Sequence, residues 1–172
     1  MLTKAASRIL FLLVLSTIIW AQETQGKLVK VEYDSAKDLT QITLNPFILV
    51  SKKHEELRLG AVATYSGKAK VRPQEVNLIF LSLSASDMDK YDAARKLSVT
   101  LDGQHVVLGE ARHAKQTQNG FFVETLTLAI PLDVFLRISK SREAKLKIGF
   151  TEVSLSEQHM EILRIAASYM VE

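Results

Sequence analysis

LSVTLDGQHVVLGEARH, Leu97 to His113, carries the plainest fold signal in the chain. Asp102-Gly103 divides two alternating apolar runs, and an Asp-Gly pair suits a two-residue hairpin turn because both turn positions need positive φ. The turn sets a register in which Leu101 faces Gln104, Thr100 faces His105, Val99 faces Val106, Ser98 faces Val107 and Leu97 faces Leu108. Leu97, Val99, Leu101, Val106 and Leu108 then share one face, while Ser98, Thr100, His105 and Val107 share the other.

Further along, Asn119-Gly120 is a second hairpin signal. Its register sets Gly109, Ala111 and His113 against Ile130, Leu128 and Leu126, so odd-numbered residues now face the apolar side. A bulge at Gly109 reconciles the two halves, since one extra residue reverses which side later residues face. A three-residue loop would do the same but would turn Glu110 and Arg112 inward, so the bulge is preferred.

The same stretch holds His105, Glu110 and His113, residue types that bind metals or move protons. Eight residues of straight strand span roughly 26 Å, whereas ligands of one ion each lie within about 2.1 Å of it. The two histidines are therefore expected to stay apart, and no catalytic, cofactor-binding or metal-binding residue is assigned.

Outward from the hairpin, alternation persists. Val29, Val31 and Tyr33 share a strand face, Ile42 and Leu44 another, and Leu57, Leu59, Ala61, Ala63 and Tyr65 keep the period of two. VNLIFLSLS, Val76 to Ser84, is apolar on both faces, which predicts a central strand covered by a second sheet on one side and a helix on the other. PLDVFLRISKS, with Pro131 at the first helical position, predicts a short helix near 131–141. SEQHMEILRIAASYMVE predicts a C-terminal helix near 156–171, with Ser156 as N-cap and Met160, Leu163, Ala167 and Met170 at helical spacing. Ala144, Leu146, Ile148 and Phe150 predict a half-buried strand between the two. The expected fold is mainly β with helices (α+β), an antiparallel β-sandwich-like domain with both helices packed on it.

The N-terminus reads as a secretory signal peptide over residues 1–21. Lys4 and Arg8 precede an apolar run, Ile9–Ala21, interrupted by Ser16 and Thr17, with Ala21 suited to cleavage. That run covers about 20 Å at ~1.5 Å per residue, short of a ~30 Å hydrocarbon core. Ile19 departs from the small residue preferred near the cut, and an uncleaved anchor is the alternative. Cleavage leaves no membrane span in residues 22–172, which form one expected β-rich domain, periplasmic or extracellular.

Twenty-two Lys and Arg stand against 19 Asp and Glu. Removing Lys4 and Arg8 leaves a nearly neutral chain, without the basic excess of a nucleic-acid binder. There is no cysteine, so stability comes from packing and no thiolate chemistry is available.

The remaining candidates read more simply as structure. Asp87, Asp89 and Asp92 suggest calcium, but Tyr91 and Asp92 occupy positions where an EF-hand needs an oxygen ligand and glycine. They read as a solvated acidic loop. Lys68, Lys70 and Arg72 alternate as an exposed sheet face would, and SKKHEE around His54 reads as a polar loop. Nucleophile-elbow, zinc-protease, phosphate-loop and dinucleotide motifs are absent.

The segments TLDGQHVVLG, IPLDVFLRISKS and KLKIGFTEVSLSEQHMEILRIAA resemble a group of exported bacterial β-rich proteins of unknown function. The resemblance covers the C-terminal half and implies one β-rich domain closed by a helix, with no active site to transfer. The function expected is an exported binding or interaction domain that meets an envelope protein. The alternatives are a carrier holding a small apolar ligand between sheet and C-terminal helix, and a hydrolase of envelope polymers whose His54, Asp87 or His113 would converge. No cofactor and no nucleic-acid partner are expected.

Overall fold

In a computed structural model, residues 28–86, 89–118 and 120–171 are described. The expected signal segment and Asp87 lie outside them. Among the described residues, ten strands and two helices follow in order: β1 (Val29–Asp34), β2 (Leu39–Lys52), β3 (Glu55–Ser66), β4 (Glu75–Ser84), β5 (Lys96–Leu101), β6 (Gln104–Glu110), β7 (Arg112–Gln118), β8 (Phe121–Pro131), α1 (Leu132–Lys140), β9 (Ala144–Ile148), β10 (Thr151–Ser154) and α2 (Glu157–Val171).

The strands form a six-stranded sheet, β1-β2-β3-β4-β8-β7, and a four-stranded sheet, β10-β9-β5-β6. Every pairing is antiparallel. The mainly β, sandwich-like α+β class read from the sequence is therefore the fold observed. One face of each sheet builds the core. Ile42, Leu44, Leu59, Leu78, Phe80, Leu126 and Ile130 of the large sheet meet Leu97, Val99, Leu146 and Ile148 of the small one, with Phe135, Met160 and Leu163 from the helices. Among the described residues no helix is long and apolar enough to cross a membrane.

VNLIFLSLS is central, between β3 and β8. Its expected double cover does not form. Val76, Leu78 and Phe80 are buried in the core, whereas Ile79, Leu81 and Leu83 are half-buried and stand outside it. The two helices pack against each other and against the large sheet, α1 on β4 and β8 and α2 on β1 and β2.

The Asp102-Gly103 hairpin forms with the expected pairs from Leu101↔Gln104 to Ser98↔Val107. Asp102 and Gly103 both have positive φ, +47° and +84°, as such a turn requires. Leu97 pairs with Gly109 instead of Leu108. The bulge thus places Leu108 as its extra residue, one position before the expected site, and Gly109 closes it at a φ of +139° that only glycine adopts readily. Beyond it the chain leaves the small sheet at buried Ala111, whose N–H donates to the Arg95 carbonyl at 2.9 Å, and enters the large sheet as β7. There His113 pairs with Leu126, as the second hairpin register requires.

Both helices appear near their expected bounds. Pro131 ends β8 and stands just before α1 instead of occupying its first turn. The Ser156 hydroxyl accepts the His159 N–H at 3.2 Å, and the Ser156 N–H donates to His159 Nδ1 at 3.2 Å. This is a reciprocal cap in which His takes the place usually held by Glu.

Two polar segments differ from expectation. Residues 67–74 are a connection between β3 and β4, with no strand to align Lys68, Lys70 and Arg72. Arg72 instead reaches Asp133 of α1 at 2.5 Å. SKKHEE is mostly strand, since Lys52 pairs with Glu55 and leaves Lys53 and exposed His54 as the turn.

Candidate functional site

Two features lie on either side of the segment joining β4 to β5. The first is a charged cluster on the β7–β8 hairpin. Even-numbered residues of β8 face inward, so Phe122, Glu124, Leu126 and Ile130 share a side, and the register sets Lys115 opposite Glu124 and His113 opposite Leu126. His113 and Glu124 are thus diagonal neighbours, within reach of long side chains. His113 Nε2 lies 3.0 Å from Glu124 Oε1, and their side chains are 8% and 2% exposed.

A carboxylate this deep needs hydrogen-bond partners to offset its lost hydration. Glu124 finds them in the backbone of the connecting segment: the Tyr91 N–H donates to Oε1 at 3.1 Å and the Lys90 N–H to Oε2 at 3.3 Å. Buried Tyr91 in turn places its hydroxyl 3.0 Å from that of Thr151. Among the described residues no buried side-chain nitrogen or oxygen lacks a partner.

Two exposed carboxylates complete the cluster. Asp89 Oδ1 lies 4.0 Å from His113 Nε2, and Asp92 Oδ1 lies 3.6 Å from Nδ1. Lys115 Nζ stands 3.5 Å from Asp89 Oδ2 and 5.3 Å from the centre of the Phe122 ring. One ligand atom each from Asp89, His113 and Glu124 lie within 4.8 Å of one another. Asp89 and Asp92 are solvated, as expected of an acidic loop, but they also converge on a histidine.

The second feature is a groove of about 650 Å3 on the small sheet, lined by Ala94, Lys96, His105, Val107, Lys147 and Phe150 among others. Ile148 pairs with Thr151, leaving Gly149-Phe150 as the turn between β9 and β10. Phe150 is 92% exposed and Val107 on β6 is 71% exposed. The turn beneath Phe150 is fixed. Gly149 has a φ of +55°, its N–H donates to the Lys96 carbonyl at 2.9 Å, and its Cα abuts Ala94 so closely that a Cβ would come within 2.7 Å of the Ala94 methyl.

His105 is exposed on β6 and lines the groove, whereas His113 is half-buried on β7 of the other sheet, so the two histidines stay apart. Glu110 pairs with Arg95 at 3.5 Å. Asp102 serves the fold, its Oδ1 accepting the N–H groups of Arg142 and Glu143 at 3.0 Å. His54 is exposed in its turn. At the sheet–helix junction, where a carrier would hold its ligand, Met160, Leu163, Ala166, Ala167 and Met170 are buried in the core.

The sequence alone assigns no functional role to Glu124, Tyr91 or Phe150. Glu124 was detectable as the one acid in the inward series Phe122, Glu124, Leu126, Leu128, Ile130. Phe150 continues the series Ala144, Leu146, Ile148, which predicts a half-buried residue, whereas the chain turns at Gly149 before the pattern completes. Compared with protein-family models, curated proteins and solved structures, the chain matches none of them.

Proposed function

We propose that the chain is an exported binding domain of the cell envelope or exterior, acting by contact with another protein, and that the Phe150 groove is its contact face. The observation that carries this reading is a phenylalanine at 92% exposure on a hairpin turn braced by Ala94 and Lys96. An aromatic side chain carried on a backbone already held in place loses little backbone entropy on docking, and exposed aromatic residues of this kind often dominate binding energies. Val107 extends the apolar surface.

The rim sets the partner's chemistry. Arg95, Lys96 and Lys147 line the groove against a single acid, Glu110. The partner is accordingly a protein segment that offers an apolar side chain to Phe150 and carboxylates to the flanking cations. Export follows from the Lys4, Arg8 and Ile9–Ala21 pattern.

Photo-crosslinking in the expressing cell tests the proposal. A benzophenone amino acid replaces Phe150, Val107 or, as a control on a different exposed apolar surface, Val71. The expected result is one discrete protein adduct from positions 150 and 107, weakened by Lys147→Glu and joined through an acidic, apolar segment. Equal adduct patterns from positions 150 and 71 would refute the contact face.

A further inference from the structure

We infer that His113, Glu124 and Asp89 form a binding site for one divalent transition-metal ion of the zinc class. His113 Nε2 and Glu124 Oε1 are 3.0 Å apart. Two ligands each about 2.1 Å from a shared ion are separated by roughly 3.0 to 3.4 Å at right-angled to tetrahedral geometry. The pair is thus spaced as adjacent ligands of one ion. Asp89, with Oδ1 4.0 Å from the same nitrogen and a ligand atom within 4.8 Å of that of Glu124, belongs to a side chain 45% exposed, whose rotation away from Lys115 would bring it to the ion.

The surroundings are those a metal ligand requires. A ligating imidazole commonly directs its other nitrogen at a carboxylate, which fixes the ring and raises its basicity. Here Asp92 Oδ1 stands 3.6 Å from His113 Nδ1. The Glu124 carboxylate is held in place by two backbone N–H groups, leaving Oε1 with a lone pair toward the histidine. The charge also fits. Asp89, Asp92 and Glu124 surround a single imidazole, with Lys115 as the cation paired to Asp89. A divalent ion supplies the positive charge that three converging carboxylates favour.

One nitrogen and two carboxylate oxygens suit zinc and its first-row neighbours, and the imidazole disfavours calcium and magnesium. Three protein ligands leave a coordination position for water. The ion would fasten residues 89–92 to the β7–β8 hairpin, just before Ala94 braces the Phe150 turn.

The full chain, purified as the expressing cell processes it and stripped with chelator, is titrated with zinc chloride by calorimetry and examined by native mass spectrometry. One zinc per chain is expected, together with slower amide exchange of Lys90–Ala94. Asp89→Asn should weaken binding, Asp92→Asn should do so by about 10- to 100-fold as an outer-shell change, and His113→Ala should abolish it. Cobalt in place of zinc should give visible absorption that the His113 variant lacks. Because Asp89 is a surface residue, its variant folds and decides the matter if His113→Ala does not. Failure to bind zinc, or binding unchanged in Asp89→Asn and Asp92→Asn, overturns the inference and assigns any zinc to adventitious contact with His54, His105 or His159.

Discussion

Gly149→Ala isolates the mechanical support beneath Phe150. Two separate penalties apply. Alanine at a φ of +55° occupies the left-handed region, where an L-residue loses about 1 to 2 kcal/mol relative to glycine. The new Cβ also lands 2.7 Å from the Ala94 Cβ and closer still to the Ala94 carbonyl oxygen, neither of which is the far end of a flexible side chain. Relief requires the 91–95 segment to withdraw by roughly 1 Å, and overpacking of that kind costs about 1 to 3 kcal/mol. The sum is a destabilisation of about 2 to 5 kcal/mol. Gly103→Ala is the internal control: its φ of +84° imposes comparable backbone strain, but nothing lies within 4 Å of its Cβ direction. Urea unfolding followed by circular dichroism should place the midpoint of Gly149→Ala well below that of Gly103→Ala, with similar denaturant slopes. Equal midpoints would show that Ala94 yields freely and that the turn is not braced.

Three further outcomes are expected. Glu124→Leu strands the Lys90 and Tyr91 N–H groups and removes the partner of His113, so urea unfolding should record a loss of about 3 to 5 kcal/mol, as when one member of a buried polar pair is deleted. Phe150→Ser should leave stability within about 0.5 kcal/mol of the parent, as a surface change does, while abolishing the cross-linked adduct from position 107. Ser156→Ala removes the hydroxyl that accepts the His159 N–H, and thermal unfolding should show a loss of about 1 kcal/mol at the start of α2.

The fold was legible wherever one residue type had one physical use. Asp102-Gly103 fixed a register because few turns accept a two-residue link, and alternation in β3, β5 and β9 marked the buried face because those strands touch the core on one side only. VNLIFLSLS misled because an apolar side chain can be half-buried by its neighbours within a sheet; Ile79, Leu81 and Leu83 need no helix above them. The candidate site was less legible. His113 and Glu124 belong to one hairpin, and its register already made them diagonal neighbours. Asp89, Asp92 and Tyr91 arrive from a segment with no periodicity, so their approach depends on the three-dimensional path between β4 and β5. The exposed Phe150 required knowing that Gly149 turns the chain.

The order of strands in the large sheet has a kinetic consequence. β4 and β8 are neighbours, with Ser84 paired to Phe122 and Val76 to Ile130, yet the β5–β6 hairpin and β7 lie between them in sequence. The β4–β8 seam of the large sheet therefore closes a long loop, while the Asp102-Gly103 hairpin closes a short one within microseconds. The small hairpin is positioned to form before either non-local pairing, β4 with β8 or β5 with β9. Until the seam closes, the apolar edge of VNLIFLSLS has no β8 to pair with. Folding through such non-local contacts is slow, and an unpaired apolar edge of that kind invites pairing with other chains. Leu78→Lys, inside this seam, would thus be felt as retarded folding and aggregation of nascent chains as well as lost stability.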